Sequence, residues 1–550
     1  MAYSDPNLDT VHDAFMDAAR HYGDRAFVQV LNETAAAYGI APGDWSYAEA
    51  AQEIQQLRER YVSNGYQSGD RVALLLENRP AFFAHWFALN GLGVSVVPIN
   101  PDLRAAELKY IFAHAHPVLA IAIQARVADL KNAVASAEIA CLVIADGEVL
   151  PSRAKAATQR HVASEPDTPL SREAAILYTS GTTGTPKGCV LSNLYFLSCG
   201  TWYSTTAGLC NITTAGERML TPLPLFHMNA MACSTLAMIA VGGTLIILDR
   251  FHPSTWWDSV RESRATCIHY LGVVPTMLMA APPSSDDRKH TVRFGFGAGV
   301  DRRLHDPFEQ RFGFPLVEAW AMTETGNGAV IAANHGTRKT GLNCFGRPSA
   351  DIEVRLLTDS GQDAAPGEPG ELLVRRAGDN PRHGFFTEYY RDPAATAEAW
   401  LDGWFHTGDV VTRDADGDLV FVDRKNNVIR RSGENIAAVE VESVLLRHPH
   451  VAAAAVAAVP DPVRGDEVFA CIVAEQTPGD EPSRDTLAQD IVHWALDQLA
   501  YYKAPAYVAF VTALPLTSTQ KIARAEMRDL AMRMREDVNT VDTRTMKKRS

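Results

Sequence analysis

Hydrophobic positions along the first half of the chain follow two alternating rhythms. Val11, Phe15, Ala19 and Tyr22 recur at helical spacing and predict an opening helix. Ser46 and Glu49 have the spacing of a capping box, which predicts a second helix running through Val62. Residues 71–76, Arg-Val-Ala-Leu-Leu-Leu, read as a buried strand. Pro80 then starts an apolar helix to Leu92, and residues 94–99 read as the next strand. Similar alternation runs through 219–270. This order predicts layered α/β architecture with much parallel sheet. From about Gly341 the texture changes. Residues 351–357 and 371–375 alternate between Gly- and Pro-bearing breaks, which predicts a β-rich subdomain over 341–423. Beyond Asp423, helical patterns at 437–447 and 483–499 frame strand-like runs at 451–459 and 468–474. A small α+β domain is expected there.

A chain of 550 residues exceeds one compact core and should hold at least two domains. The expected division is 1–423, a hinge at 424–427, and 428–550. Hydrophobic content of 47% with 21% charged residues fits a globular protein, and a formal net charge of -14 argues against a nucleic-acid surface. The basic end, Arg544, Lys547, Lys548 and Arg549, reads as a frayed, solvated tail. Eight scattered cysteines include no C-x-x-C pair, so buried thiols are expected, not zinc ligands or a redox pair. The first ten residues are unlike a signal peptide, and no run reaches membrane-spanning length. A cytoplasmic enzyme is expected, with no integral membrane segment.

The densest chemical signal is 178–188, Tyr-Thr-Ser-Gly-Thr-Thr-Gly-Thr-Pro-Lys-Gly, set between apolar runs at 174–177 and 189–191. Its glycines let the main chain approach a ligand closely. Its hydroxyls, N–H groups and one lysine suit a polyphosphate. The spacing is not the Walker pattern.

This loop resembles the phosphate-binding signature of the adenylate-forming superfamily of acyl- and aryl-CoA synthetases, luciferases and peptide-synthetase adenylation domains. Further motifs of that superfamily follow in the same order between Pro222 and Lys521. The resemblance implies a large N-terminal domain of layered α/β subdomains with a β-rich subdomain, and a small mobile α+β C-terminal lid. It also implies activation of a small-molecule carboxylic acid by ATP with Mg²⁺, followed by transfer to CoA.

By that resemblance, Thr179, Ser180, Gly181, Thr182, Thr183, Gly184 and Lys187 bind ATP phosphates. Trp320-Ala321-Met322-Thr323-Glu324 matches the aromatic-Gly-x-Thr-Glu motif, with Trp320 against adenine, Thr323 on phosphate and Glu324 on Mg²⁺. Gly297, Ala298, Glu318 and Ala319 join the nucleotide site. Residues 403–409, Gly-Trp-Phe-His-Thr-Gly-Asp, match the motif whose aspartate, here Asp409, accepts both ribose hydroxyls, and Arg424 reaches ribose or phosphate. Lys521 bridges the substrate carboxylate and the α-phosphate during adenylation. Asn426 matches the family hinge.

Residues 223–229, Leu-Pro-Leu-Phe-His-Met-Asn, favour the CoA-ligase branch, whose Phe-His pair borders the acyl pocket. That pocket is expected to use Phe226, His227, Met228, Asn229, Val273, Thr276, Phe296, Gly297 and Met322, with volume left by Gly295, Gly297 and Gly299. His227 also counts among the catalytic candidates, with Lys521, Thr323 and Glu324. Ser432, Gly433 and Glu434 are expected to line the CoA tunnel. Residues 423–442 resemble crotonobetaine/carnitine-type and medium-chain acyl-CoA ligases. The expected substrate is a small-to-medium aliphatic or alicyclic acid, with an arylalkanoate close behind. A luciferase-like adenylating oxygenase and a degenerate nucleotide sensor are the rival readings. The sequence leaves the oligomeric state open, a homodimer included.

Overall fold

The computed structural model describes residues 8–153, 168–179, 186–335, 337–358, 360–424, 428–475, 483–515 and 522–548. The chain divides into two compact units. The first comprises Met1–Pro101, Phe112–Leu177 and Gly188–Asp423, and the second comprises Asp102–Ile111, Tyr178–Lys187 and Arg424–Ser550.

Two mainly parallel sheets form the first unit's frame. In one, Arg71–Leu75 lies between Ser95–Pro98 and Leu119–Ala122, and Leu142–Ala145 pairs beyond the latter, all parallel. In the other, Ala26–Val30, Thr244–Ile247, Arg218–Thr221, Cys267–Leu271, Phe294–Ala298 and Leu316–Trp320 run parallel. Antiparallel edge strands, Gly43–Ser46 and Ile331–Ala332, close it on either side. The helix Pro80–Asn90 is apolar on every side, and Phe82, Phe83, Trp86 and Phe87 are all buried in the core. A helix without a polar face is stable only when packed all round. The expected capping box is present, with Ser46 accepting from Glu49 N–H and the Glu49 carboxylate accepting from Ser46 N–H.

From Cys344–Gly346 to Leu419–Arg424 the chain builds a separate β-sheet, with antiparallel pairing where Gly370–Arg376 meets Ile352–Leu357 and Trp404–Arg413. The β-rich subdomain is therefore observed.

The second unit carries the long hairpin Val451–Asp461 with Gly465–Ala474 and the helices Ala438–Leu445 and Arg484–Gln498. Its basic end corrects the sequence reading. Arg544 pairs with Asp542 at 2.7 Å, and Lys547 is buried with its ammonium 2.8 Å from Glu467. At Lys547 the tail is docked, not frayed, because Glu467 offers a buried carboxylate that also accepts from Arg431 at 2.8 Å, while Lys548 is exposed and Arg549 lies outside the described residues. All eight cysteines are free thiols and seven are buried, as expected. Among the described residues, no helix is long and apolar enough to cross a membrane.

Glu467 faces Arg431 and Lys547 in a dry place, with the more exposed Arg464 at 3.6 Å, so positive charge is in surplus. Burial, then the Arg431 guanidinium, brings the Lys547 ammonium from its usual 10.5 down to about 7. The unfolded chain holds that proton up to about 10.5, the folded chain only to about 7. Between those values the unfolded state binds more protons, so this group makes stability rise with pH. Lys547→Met should flatten that rise. Urea denaturation at about pH 7 and about pH 9 checks it, and an unchanged pH dependence would reject the assignment.

Candidate functional site

The C-terminal ends of parallel strands are where α/β sheets gather ligand-binding loops. In the eight-stranded sheet, four such ends carry sequence-predicted residues. Arg218–Thr221 leads to Phe226, His227, Met228 and Asn229; Cys267–Leu271 leads to Val273 and Thr276. Phe294–Ala298 contains Phe296, Gly297 and Ala298, and Leu316–Trp320 contains Glu318, Ala319 and Trp320 and leads to Met322, Thr323 and Glu324.

The Trp320 and Asp409 motifs meet directly. The Trp320 indole N–H donates to Asp409 Oδ2 at 2.8 Å, and both residues are buried. Asp409 lies in Trp404–Arg413, where Thr407 fixes the approach: its hydroxyl donates to Leu372 C=O at 2.7 Å and accepts from Asp409 N–H at 3.0 Å. A carboxylate with one oxygen on an indole keeps lone pairs for further donors.

Glu324 is also buried, and its Oε1 accepts from the Tyr389 hydroxyl at 2.9 Å. Burial, then the Glu324 charge, pushes the Tyr389 phenol well above its usual range, so it stays a donor. The second Glu324 oxygen makes no hydrogen bond among the described residues and can serve a hard cation. Tyr195 donates to Thr323 C=O at 2.9 Å, which holds the neighbouring backbone. Neither tyrosine was found from sequence, since each lies far from the motif and no spacing rule links them.

Glu318 uses both carboxylate oxygens on main-chain N–H groups, Gly299 at 3.0 Å and Val300 at 2.8 Å. It therefore braces the loop after Phe294–Ala298. That loop runs against Gly272, where an added Cβ would fall 1.7 Å from Gly299 C=O. The glycines of this strand do not leave pocket volume as expected. A Cβ at Gly295 would meet Leu316 at 2.8 Å, and one at Gly297 would meet Tyr270 C=O at 2.2 Å. Neighbouring protein already fills that space.

The Phe226 and His227 rings lie 4.7 Å apart. Their loop is held by buried Asn78, which donates to Leu223 and Leu248 carbonyls at 3.0 and 2.8 Å and accepts from Leu225 N–H at 2.9 Å. Asn78 carries no motif and was not found from sequence. Asn229 opens a π-helical turn, Asn229–Ser234, a geometry frequent at functional sites. Thr276 donates to Gly272 C=O at 2.8 Å, so its hydroxyl is used locally.

In the second unit, Thr179 ends the strand Glu173–Thr179 and Lys187 begins the neighbouring strand Lys187–Ser192. Ser180, Gly181, Thr182, Thr183 and Gly184, between them, lie outside the described residues, as do Asn426 and Lys521. Arg424 ends the strand Leu419–Arg424. Ser432 and Gly433 join Val428–Arg431 to Glu434–Ala437, with Arg431 opposite Glu434. Both have positive φ, 50° and 93°, the conformation of a tight two-residue hairpin turn.

Among the described residues, one carboxylate cluster could hold a metal, Asp414, Asp416 and Asp418. The Lys339 ammonium lies 2.6, 2.6 and 3.0 Å from the three carboxylates and occupies the place between them as their shared counter-charge, with Arg347 2.9 Å from Asp418.

Residues 15–389 match the family described as AMP-binding enzyme, and residues 440–521 match the AMP-binding enzyme C-terminal domain. The chain is 30% identical over 497 residues to crotonobetaine/carnitine–CoA ligases of Escherichia coli (strain S88) and Shigella dysenteriae (strain Sd197), covering 88% of this chain and 93% of each relative. Among solved structures it resembles amide bond synthetase McbA of Marinactinospora thermotolerans, with a TM-score of 0.77, 25% identity, and 95% and 100% of the two chains covered. It also resembles o-succinylbenzoate CoA synthetase of Bacillus subtilis, with a TM-score of 0.75 and coverage of 94% and 98%. The latter likeness, at 22% identity, bears on fold alone.

Proposed function

Since the chain belongs to the AMP-binding enzyme family and is an AMP-forming acid–CoA ligase using ATP and CoA, we propose how its residues divide two half-reactions. The substrate carboxylate attacks the α-phosphorus of ATP, the bond to pyrophosphate breaks, and an acyl-AMP forms. The CoA thiol then attacks the acyl carbon, AMP leaves with the bridging oxygen, and the thiol proton passes to solvent.

The observation that carries this reading is the 2.8 Å hydrogen bond from Trp320 to Asp409, which joins two nucleotide motifs 89 residues apart. Asp409 accepts the ribose hydroxyls, with Arg424 beside the ribose or phosphates, and Trp320 lies against adenine. Gly297, Ala298 and Ala319 shape the nucleotide wall, and Glu318 supports it through the 299–300 backbone. Residues 179–184 with Lys187 take the phosphates, and Thr323 adds a hydroxyl donor. Lys521 compensates charge on the oxygens around the α-phosphorus. The Ser432–Gly433 turn and Glu434 receive the pantetheine arm of CoA, and Asn426 is the pivot between the two steps. His227, with Phe226, borders the acyl carbon. The acid is small to medium in size, and the crotonobetaine/carnitine–CoA ligase relatives support an aliphatic one.

Glu324 would hold Mg²⁺ through its open oxygen while Tyr389 fixes the other. Bound there, the ion would neutralise phosphate charge. Glu324→Gln keeps the shape and removes the charge. The Mg²⁺ concentration for half-maximal rate should rise about tenfold or more with little change in melting temperature, and an unaltered Mg²⁺ titration would reject this role.

A panel of carboxylic acids assayed for pyrophosphate release, with and without CoA, tests the function. Acid-dependent release that turns over repeatedly only with CoA supports it. Release coupled to oxygen uptake and light would favour an oxygenase, and no release with any acid would favour a sensor.

A further inference from the structure

One buried polar network of the first unit ends beside Phe226 and His227. His269, in the strand Cys267–Leu271, is fully buried. Its Nε2 lies 2.8 Å from the Tyr203 hydroxyl. Its Nδ1 lies 2.7 Å from Asn229 Oδ1 and 2.8 Å from Ser234 Oγ. Tyr203 has no other hydrogen-bond partner among the described residues, so its proton goes to Nε2. Burial also drives the imidazole down to about 3, which keeps it neutral. A neutral imidazole that accepts at Nε2 carries its proton on Nδ1. That N–H points at the Asn229 side-chain oxygen and is shared with Ser234, whose hydroxyl donates to Asn229 C=O at 3.2 Å.

The amide of Asn229 is therefore held in one sense. Flipping it would set NH₂ against an N–H donor. Its Nδ2 has no hydrogen-bond partner among the described residues, and it is not one of their sealed polar atoms. Asn229 itself is half-buried. The surroundings are otherwise apolar. Phe296 lies 5.5 Å from His269 and 5.8 Å from Trp202, centre to centre. No charged side chain hydrogen-bonds to Asn229, Ser234, His269 or Tyr203 among the described residues. A neutral donor in such a place suits an uncharged oxygen better than a second carboxylate, which would lose its hydration without a counter-charge.

We propose that Asn229 is a specificity residue whose Nδ2 donates to a ketone or hydroxyl oxygen on the acyl chain of the acid, and that His269 is the positioning residue fixing that amide. This rests on the ligase reading above and narrows a hydrocarbon acid to an oxygenated one. A site built around a directed donor discriminates against the analogue that lacks the acceptor.

The test uses pairs of acids with one carbon skeleton, differing by a single oxo or hydroxy group placed at successive carbons from the β position outward. kcat/KM is measured by pyrophosphate release for the full-length wild type, Asn229→Leu and His269→Phe. The wild type should favour at least one oxygenated acid over its hydrocarbon partner by about tenfold or more. Asn229→Leu should abolish that preference, and His269→Phe should shrink it, with melting temperature as the control for folding. Asn229→Ala replaces Asn229→Leu if the latter fails to fold. Equal use of both members of every pair, or a preference that survives at position 229, overturns the inference and leaves the ligase reading standing. No acid-dependent release by the wild type overturns both.

Discussion

Lys521→Ala is expected to lower acid-dependent pyrophosphate release by about 10²- to 10³-fold, the usual effect of removing a donor aimed at developing charge. Negative charge gathers on the oxygens around the α-phosphorus as the carboxylate attacks. A flexible ammonium can follow that charge without a fixed geometry. Thiol attack on the acyl carbon has no such demand at phosphorus. The same variant should therefore convert supplied acyl-AMP and CoA to thioester within a fewfold of the wild-type rate. Measuring the half-reactions separately checks this. Equal loss in both, in a folded variant, would show that Lys521 does not divide the steps.

The second large effect concerns Glu467. Its carboxylate is buried with Arg431 at 2.8 Å and Lys547 at 2.8 Å, and all three side chains are almost fully shielded. Burial opposes its charge, but Lys547 and Arg431 hold the carboxyl below its usual range. Glu467→Ala leaves the buried Arg431 guanidinium without a counter-charge and the buried Lys547 amine without its acceptor. Breaking a buried pair in this way costs about 3–5 kcal/mol. Hydrogen exchange at the amides of Val451–Asp461 and Gly465–Ala474 should report a loss of that order. Arg431 also leads into the Ser432–Gly433 turn, whose Ser432 N–H donates to Arg464 C=O at 2.8 Å. Thioester formation should therefore suffer more than adenylation. Unchanged protection would show that the cluster contributes nothing net.

The contrast between these residues shows what a sequence discloses. The helices at 11–22 and 47–63 were legible because one-sided burial imposes a period on the side chains, and the strands at 71–75 and 95–98 because burial on both faces makes them short runs with no polar alternation. The β-rich stretch was legible through alternation between its Gly- and Pro-bearing breaks. Motif residues such as Trp320 and Asp409 were legible through their local sequence, and the structure joins them through space. What stayed hidden depends on tertiary pairing alone. Asn78, Tyr195 and Tyr389 support the site from remote positions with no spacing to announce them. The π-turn at Asn229–Ser234 lies in an apolar run that gives no sign of its extra residue. Lys547 looked like part of a solvated tail because its partner, Glu467, is 80 residues away.

Isotope tracing tests the central claim most directly. The acid is supplied with ¹⁸O in both carboxylate oxygens, together with ATP, Mg²⁺ and CoA, and the products are examined by mass spectrometry. Attack by the carboxylate on the α-phosphorus, followed by thiolysis at carbon, must leave one ¹⁸O in AMP and none in pyrophosphate. Label in inorganic phosphate or pyrophosphate, or thioester formed with unlabelled AMP, would contradict an acyl-AMP intermediate.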